Sequence, residues 1–203
     1  MEFWHEIIIK KSFNLLQKFK KRYKFVLIGG WAVWLYAHTL KSKDIDLIID
    51  YDELARLKKK FLITKNERLK KYEMQVEEID VDLYLPYYSY LGIPVEEIEK
   101  YTVSQEGFKV PIPEVLLILK QKAFEGRQNS PKGEKDKIDI FSLLNLKDFD
   151  FSKYKRLLKK YKKEKFLKSL INLLKETYEV KELGLNRQKL SRLKKSILAK
   201  IGK

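Results

Sequence analysis

The chain has 203 residues, a length typical of one domain or of one domain with a small addition. It contains 44 Lys and Arg, 28 Asp and Glu, no cysteine and two histidines, His5 and His38. These counts exclude disulfides, thiolate zinc sites, cysteine nucleophiles and sites with several histidine ligands. No apolar stretch reaches the roughly 18 residues of a membrane-spanning helix, and the first residues do not resemble a signal peptide. We therefore expect a soluble, cytoplasmic protein with no membrane partner.

Most of the excess positive charge lies in the last quarter of the sequence. Residues 1–150 contain 26 basic and 24 acidic residues, a net charge of +2. Residues 151–203 contain 18 basic and 4 acidic residues, a net charge of +14. A lysine-rich proteome would raise glutamate as well, and this segment has little glutamate. The charge therefore predicts that the C-terminal segment contacts a polyanion, RNA or DNA.

Hydrophobic spacing predicts both helices and strands in the first half of the chain. The predicted elements are, in order, an amphipathic helix over 3–23, a strand over 25–28, a helix over 31–40, a strand over 44–50, a helix over 52–61, one strand or two over 74–85 with a break near 77–78, and an edge strand at 108–110.

The pattern from Pro113 onward indicates helices. The predicted elements are a helix over 113–125, a loop over 126–133, a helix over 136–146, and basic helices over 151–178 and 186–201. Strands followed by helices predict an α+β fold. We expect an α/β core domain over 1–110 and a helical C-terminal domain over 111–203, with a basic tail over 151–203.

A pair of glycines followed by two aspartates is the most informative part of the sequence. Gly29 and Gly30 end the strand over 25–28, and thirteen residues separate them from Asp44. Glycines let the backbone approach a ligand closely, and the free N–H groups at the start of the next helix favour phosphate. Asp44 and Asp46 are two residues apart in a strand, so both side chains are expected on one face.

A later strand offers a third carboxylate. Asp80 and Asp82 alternate with apolar residues, and the flanking Val81 and Leu83 favour Asp82 over Asp80. Carboxylates on one face repel each other and need a cation, which is usually a divalent metal ion. Their oxygens suit Mg²⁺. Three carboxylates on adjacent strands can hold two metal ions about 3.5–4 Å apart, as in phosphoryl and nucleotidyl transfer.

These motifs resemble those of the DNA polymerase β-like nucleotidyltransferase superfamily. The matching segments are Leu27-Ile28-Gly29-Gly30, Asp44-Ile45-Asp46-Leu47 and Val81-Asp82-Leu83, with Ser42 at a position where Ser or Thr is frequent. Farther along, Lys120, Arg127, Lys135-Asp136 and Asp139 resemble motifs of one branch. That branch includes the nucleotidyltransferase-like toxins of abortive-infection (type IV toxin–antitoxin) systems and uncharacterised archaeal relatives. The resemblance covers about residues 20–146 and implies a mixed sheet flanked by helices.

The resemblance implies a role for each motif residue. The catalytic, metal-binding residues would be Asp44, Asp46 and Asp82, holding two Mg²⁺ ions, with Mn²⁺ as an alternative. The nucleotide-binding residues would be Gly29, Gly30, Ser42, Lys120 and Asp136. Asp136 or Asp139 would orient the base, the sugar or Lys120. The sequence departs from the toxins at Gly30, where they have Ser, and it lacks the Arg often found before Ser42.

The leading hypothesis is a Mg²⁺-dependent nucleotidyltransferase that moves a nucleoside monophosphate from an NTP to an acceptor hydroxyl. The basic C-terminal helices favour RNA, such as tRNA, as the acceptor. A protein hydroxyl and a small molecule are the alternative acceptors. The rival hypothesis is a catalytically inactive relative that uses the same scaffold to bind nucleic acid or a partner protein.

Overall fold

The computed structural model describes the backbone of residues 2–202 and the side chains of residues 6–202. These residues form two compact units, of which the first ends at Ile112 and the second begins at Pro113. The first unit contains a five-stranded sheet with helices, and the second is built from helices. The predicted α+β fold is therefore confirmed. Among the described residues, no helix combines the length and the apolar character that crossing a membrane requires.

The first unit is built around a mixed sheet. Its helices are α1 (Glu2–Lys20), α2 (Gly29–Ala37), α3 (Tyr51–Lys58) and α4 (Val95–Ile98). Its strands are β1 (Val26–Ile28), β2 (Ile45–Ile48), β3 (Thr64–Asn66), β4 (Lys71–Val76), β5 (Ile79–Tyr84), β6 (Thr102–Gln105) and β7 (Phe108–Pro111). The sheet has the order β1-β2-β5-β4-β3, and β6 pairs with β7 in a separate hairpin. Strands β2 and β5 run parallel, whereas the other neighbouring strands run antiparallel.

Side-chain alternation divides the central strands into a buried face and a polar face. Ile45 and Leu47 of β2, and Val81 and Leu83 of β5, are at most 1% exposed and belong to the core. Successive side chains of a strand point to opposite faces, so the acids between these residues lie on the polar face. The Trp31 Nε1 of α2 donates a 2.9 Å hydrogen bond to Ser12 of α1, which fixes these two helices together.

The structure confirms the alternative of two strands over 74–85, and it contains two strands that the sequence did not predict. Glu77 and Glu78, both with positive φ, form the turn between β4 and β5, so the two-strand alternative is confirmed. The predicted edge strand at 108–110 is β7. β3 and β6 were not predicted, because their short and largely exposed sequences carry no apolar alternation.

The second unit, over residues 113–202, contains five longer helices. They are α5 (Pro113–Glu125), α6 (Pro131–Leu144), α7 (Phe151–Lys160), α8 (Lys165–Glu176) and α9 (Arg187–Ile201). Helix α6 begins five residues earlier than predicted, because the Ser130 hydroxyl accepts a hydrogen bond from the Gly133 N–H and Pro131 occupies the first turn. The single helix predicted over 151–178 is wrong, because the chain turns at Lys162 with a φ of 55°.

The first basic helices share the core of the second unit. The Tyr154 hydroxyl of α7 donates a 2.5 Å hydrogen bond to Gln121 Oε1 in α5. The Gln121 side-chain amide donates in turn to the Phe166 carbonyl of α8, at 2.8 Å. All three residues are buried. The basic segment from residue 151 is therefore packed into the unit and is not a separate appendage.

Candidate functional site

Asp46 and Asp82 lie side by side on the polar face of the sheet. In the parallel pairing of β2 with β5, Asp46 is directly opposite Asp82. In the antiparallel pairing of β5 with β4, Asp82 is opposite Glu73. Neighbouring strands are about 4.8 Å apart, so three carboxylates form a line across three adjacent strands. We call Asp46, Asp82 and Glu73 the acidic row.

Lys71 of β4 neutralises one end of the acidic row. Its Nζ lies 2.5 Å from Asp82 Oδ2 and 2.9 Å from Glu73 Oε1. Burial and the charge of Asp46 raise the pKa of Asp82 to about 6, against the lowering effect of Lys71. Burial lowers the pKa of Lys71, but its hydrogen bonds to Asp82 and Glu73 outweigh this, and its net pKa is raised. Lys71 is therefore a cation held among acids.

Gly29 fits directly against the Asp46 carboxylate. Its φ is +69°, and a Cβ at this position would lie 2.0 Å from Asp46 Oδ2. The Tyr84 hydroxyl donates a 3.4 Å hydrogen bond to the other carboxylate oxygen, Asp46 Oδ1. The absence of a side chain at Gly29 thus makes room for an acid of the protein itself. This is a further reason for the glycine, beside the close approach to a ligand that the sequence suggested.

The start of helix α2 lies next to Asp46. The helix begins at Gly29, two residues before the predicted start, and no side chain caps its first turn. Gly30 is buried in this turn. Backbone N–H groups at the start of a helix bind anions, and the helix dipole adds positive potential there. A helix start that can attract an anion and an acidic pair therefore meet at one place.

The other candidate residues of the first unit are placed differently. Asp44 precedes β2 and is half-buried, and Ser42 is buried in the segment that leads to it. Asp80 is exposed, and Gln75 donates a 3.4 Å hydrogen bond to its carboxylate. Within residues 6–202, no group of three or more His, Cys, Asp or Glu side chains is placed to hold a metal ion. The structure thus brings Asp46 together with Asp82, without a three-ligand cluster that includes Asp44.

Lys120 and Asp136 belong to the second unit, where they form a charge cluster with Asp139 and Arg127. Lys120, Asp136 and Asp139 are its buried members, whereas the Arg127 side chain is 41% exposed. Lys120 Nζ lies 3.2 Å from Asp136 Oδ1 and 2.6 Å from Asp139 Oδ2. Arg127 Nε donates to Asp136 Oδ2 at 2.7 Å. Burial raises the pKa of Asp139 against the attraction of Lys120. Two cations and two anions therefore balance each other within this cluster.

Two cavities of the described residues are lined by residues other than the predicted ones. A cavity of about 410 Å³ in the first unit is lined in part by Lys20, Lys24 and Phe108. A smaller one of about 210 Å³ lies in the second unit, beside Gln121 and Phe166. The acidic row lies outside both cavities. The convergence of charged groups therefore identifies the candidate site better than concavity does.

Sequence reasoning missed Glu73 and Lys71. The predicted strand began at Met74, whereas β4 begins at Lys71. The alternation of Tyr72, Met74 and Val76 carried the signal for an earlier start. It follows that the residues between them, Lys71 and Glu73, share the opposite face of the strand.

Solved structures match this chain over most of its length. JHP933 from Helicobacter pylori, a solved structure, is 16% identical with a TM-score of 0.51, and the match covers 96% of this chain and 93% of that one. An antigenic nucleotidyltransferase-like protein from Paracoccidioides brasiliensis is 18% identical with a TM-score of 0.47, over 93% and 92% of the two chains. At these identities the likeness concerns the fold alone. No curated protein matches the sequence.

A family model supplies the stronger result. The model described as "Nucleotidyltransferase of unknown function (DUF6036)" matches residues 7–110, which is more than half of the chain. This segment contains Gly29, Asp46 and Asp82. The superfamily resemblance seen in the sequence is thereby supported, whereas the abortive-infection branch stays a prediction. The chain belongs to this family of nucleotidyltransferases of unknown function.

Proposed function

We propose that the protein is a metal-dependent nucleotidyltransferase that moves a nucleoside monophosphate from an NTP to an acceptor hydroxyl. The observation that carries the proposal is the pairing of Asp46 with Asp82 on parallel neighbouring strands, beside the start of α2. Paired carboxylates attract a divalent cation, and the start of a helix attracts phosphate. Membership of a nucleotidyltransferase family supports the same conclusion.

The residues present fit Mg²⁺. Asp46 and Asp82 offer the hard oxygen ligands that this ion prefers, and burial together with the repulsion from Asp46 raises the pKa of Asp82. Mg²⁺ usually takes one or two carboxylates from a protein, and water and substrate phosphates complete its shell. Asp46 and Asp82 would hold the ion, with Asp44 as the further ligand predicted from the sequence and Mn²⁺ as an alternative metal. When bound, the metal would supply charge neutralisation at the phosphates and at the attacking oxygen.

Residues of this unit would assist the transfer by positioning the NTP and by accepting a proton. The N–H groups of Gly29 and Gly30 would bind phosphate oxygens of the NTP. The acceptor hydroxyl oxygen would form a bond to the α-phosphorus of the NTP. The bond between the α-phosphorus and the oxygen that bridges it to the β-phosphorus would break, so that pyrophosphate leaves. A carboxylate oxygen of Asp82 would accept the hydroxyl proton.

The nucleotide-binding roles of Ser42, Lys120 and Asp136 rest on the resemblance. Lys120 is already paired with Asp136 and Asp139. A triphosphate contact would therefore replace one of these ion pairs, with Asp136 orienting the lysine. Ser42 is 3% exposed, so its hydroxyl would reach a phosphate only after its segment moves.

The helices of the second unit support RNA as the acceptor. Helix α7 contains five basic residues and no acid, and helix α9 contains six basic residues and no acid. The exposed lysines and arginines of these helices would bind RNA phosphates and release counterions. RNA is therefore preferred to a protein hydroxyl or a small molecule as the acceptor.

The test is a transfer assay with labelled NTPs, Mg²⁺ and total RNA. We expect the wild-type protein to label RNA, and Asp46→Asn and Asp82→Asn to reduce the label to background. Asp80→Asn is the matched control, because Asp80 is exposed on the same strand two residues from Asp82, and it should transfer like the wild type. The proposal fails if the wild type labels neither RNA, protein nor small-molecule hydroxyls, or if Asp82→Asn retains full activity.

One observation favours a second function. Lys71 already provides a cation for Asp82 and Glu73, as expected for an inactive relative that keeps the scaffold to bind nucleic acid or an antitoxin-like partner protein. In that case Asp46→Asn would leave RNA binding unchanged, and the protein would not consume NTP with any acceptor. The transfer assay separates the two functions.

A further inference from the structure

Lys71 is more enclosed than the other lysines of its neighbourhood. Its side chain is 13% exposed, compared with 43% for Lys65 and 56% for Lys70. Lys65 and Lys70 both pair with Glu67 near the surface. Lys71 instead places its ammonium group between two members of the acidic row. An enclosed, doubly paired lysine is therefore part of the candidate site.

The strand register explains why the ammonium group lies there. Glu73 is the direct cross-strand partner of Asp82, and like charges in that arrangement destabilise a sheet. Lys71 precedes Glu73 by two residues on the same strand, so the two side chains share a face. From that position Lys71 reaches diagonally to Asp82 Oδ2 at 2.5 Å. The lysine thus offsets a repulsion that the fold itself creates.

We propose that Lys71 is an internal counter-cation that competes with divalent metal for Asp82 and limits the acidic row to one metal ion before the nucleotide binds. This inference rests on the proposed function, because it concerns the same carboxylates. An ammonium group and a divalent ion repel each other when they share one carboxylate. The ion would therefore bind on the Asp46 side of Asp82, while Lys71 holds the side toward Glu73. Lys71 is a positioning residue in this scheme.

Metal binding without nucleotide tests the proposal. Mn²⁺ is titrated into the full chain, and the free ion is followed by its electron paramagnetic resonance signal. We expect the wild type to bind no more than one Mn²⁺. Lys71→Met should bind Mn²⁺ at least about tenfold more tightly, equivalent to about 1.4 kcal/mol, or should bind a second ion. Lys71→Arg keeps the positive charge and should behave like the wild type.

Lys65→Met is the matched control. It removes a lysine from the neighbouring strand β3 that pairs with Glu67 and not with the acidic row, so its Mn²⁺ binding should equal that of the wild type. Circular dichroism of each variant establishes that it is folded. The inference is overturned if Lys71→Met binds Mn²⁺ no better than the wild type, or if Lys71→Arg also gains affinity. Absence of Mn²⁺ binding in both wild type and Lys71→Met would contradict the proposed metal site itself, which distinguishes the two failures.

Discussion

At the residue scale, two constraints meet at Gly29. The position has a φ of +69°, and its missing Cβ would overlap the Asp46 carboxylate. Either constraint alone favours glycine, because L-residues are strained at positive φ and because a side chain would displace a charged group. The residue therefore couples the backbone at the start of α2 to the position of a proposed metal ligand.

We predict that Gly29→Ala destabilises the protein by more than the backbone strain alone, which is about 1–2 kcal/mol. The matched control is Gly107→Ala. Gly107 has a φ of +74°, but its Cβ would meet only the flexible end of Lys20, so only the backbone strain applies. Urea unfolding followed by tryptophan fluorescence measures both variants. Equal losses of unfolding free energy would contradict the close packing of Gly29 on Asp46.

The buried charge cluster of the second unit allows a second prediction. Lys120→Met should reduce the free energy of unfolding by about 3–5 kcal/mol, because it breaks a buried ion pair and removes the ammonium group that lies 2.6 Å from the buried Asp139. Lys122→Met is the control on the same helix. The Lys122 side chain is 43% exposed and pairs with Glu125, so its loss should change stability by less than about 1 kcal/mol. Similar losses in the two variants, measured by urea unfolding, would contradict the role of the cluster.

The loss of unfolding free energy caused by Lys120→Met should depend on pH. Burial raises the pKa of Asp139 above its ordinary 3.8, against attraction from Lys120 and Lys135 and with added repulsion from Asp136. The native state then binds this proton more tightly than the unfolded state, so stability falls as pH rises above the ordinary value. Removal of Lys120 strengthens this effect. The destabilisation by Lys120→Met should therefore shrink as pH is lowered from about 7 toward 4. The change with pH should be smaller for Lys122→Met, because the Lys122–Glu125 pair is solvated and contributes less than about 1 kcal/mol at any pH.

At the element scale, the turn after α7 separates two helices that the sequence pattern joined. The Lys163 N–H bonds to the Leu158 carbonyl, and the Lys162 N–H bonds to the Lys159 carbonyl. This is the Schellman arrangement, in which the residue after the helix cap has positive φ. Lys162 occupies that position with a φ of 55°. Apolar spacing continues through the turn, and for that reason periodicity did not reveal it.

We predict that Lys162→Gly stabilises the protein by about 1 kcal/mol, because glycine adopts positive φ without strain. Lys168→Gly is the opposite control, since Lys168 is exposed within helix α8. A glycine there should destabilise by about 1 kcal/mol. Thermal unfolding followed by circular dichroism measures both. Destabilisation by Lys162→Gly would show that the lysine side chain has a role beyond its backbone conformation.

At the scale of the whole molecule, the charge of +16 is distributed very unevenly. The first unit arranges acids around a candidate metal site. The second unit carries the acid-free helices α7 and α9. Because α7 and α8 contribute to the core of the second unit, deletion of residues 151–203 would disturb its folding as well as remove charge. Substitution of exposed residues is therefore the cleaner test of RNA binding.

We predict that a triple variant, in which Gln replaces Lys189, Arg192 and Lys195 of α9, binds RNA more weakly. Its RNA affinity should also depend less on salt concentration. Each lost phosphate contact should reduce the slope of log affinity against log salt by about 0.7 for single-stranded RNA. The control replaces the exposed Lys58, Lys59 and Lys60 of the first unit by Gln, with the same change in net charge. Fluorescence anisotropy of a labelled single-stranded RNA measures both. Equal effects would indicate that overall charge, and not the surface of α9, binds RNA.

The sequence by itself determined the α+β class, the glycine pair, the Asp-x-Asp motif, the concentration of basic residues and the superfamily resemblance. These features depend on local patterns, since periodicity of two or 3.6 residues reports which side chains share a face. The start of α5 at Pro113 also follows from local rules for helix starts. Local pattern was enough wherever neighbours in sequence are neighbours in space.

The tertiary structure decided which acids meet. Strand pairing places Asp82, and not Asp80, beside Asp46, and it adds Glu73 and Lys71 to the same surface. Alternation within one strand specifies which side chains share a face of the sheet. It does not specify which strand lies next to that strand or the register of their pairing. Those depend on contacts between residues far apart in sequence. For that reason the candidate metal-binding acids could be nominated from the sequence, while the cation that already accompanies them, Lys71, could be recognised only in the folded sheet.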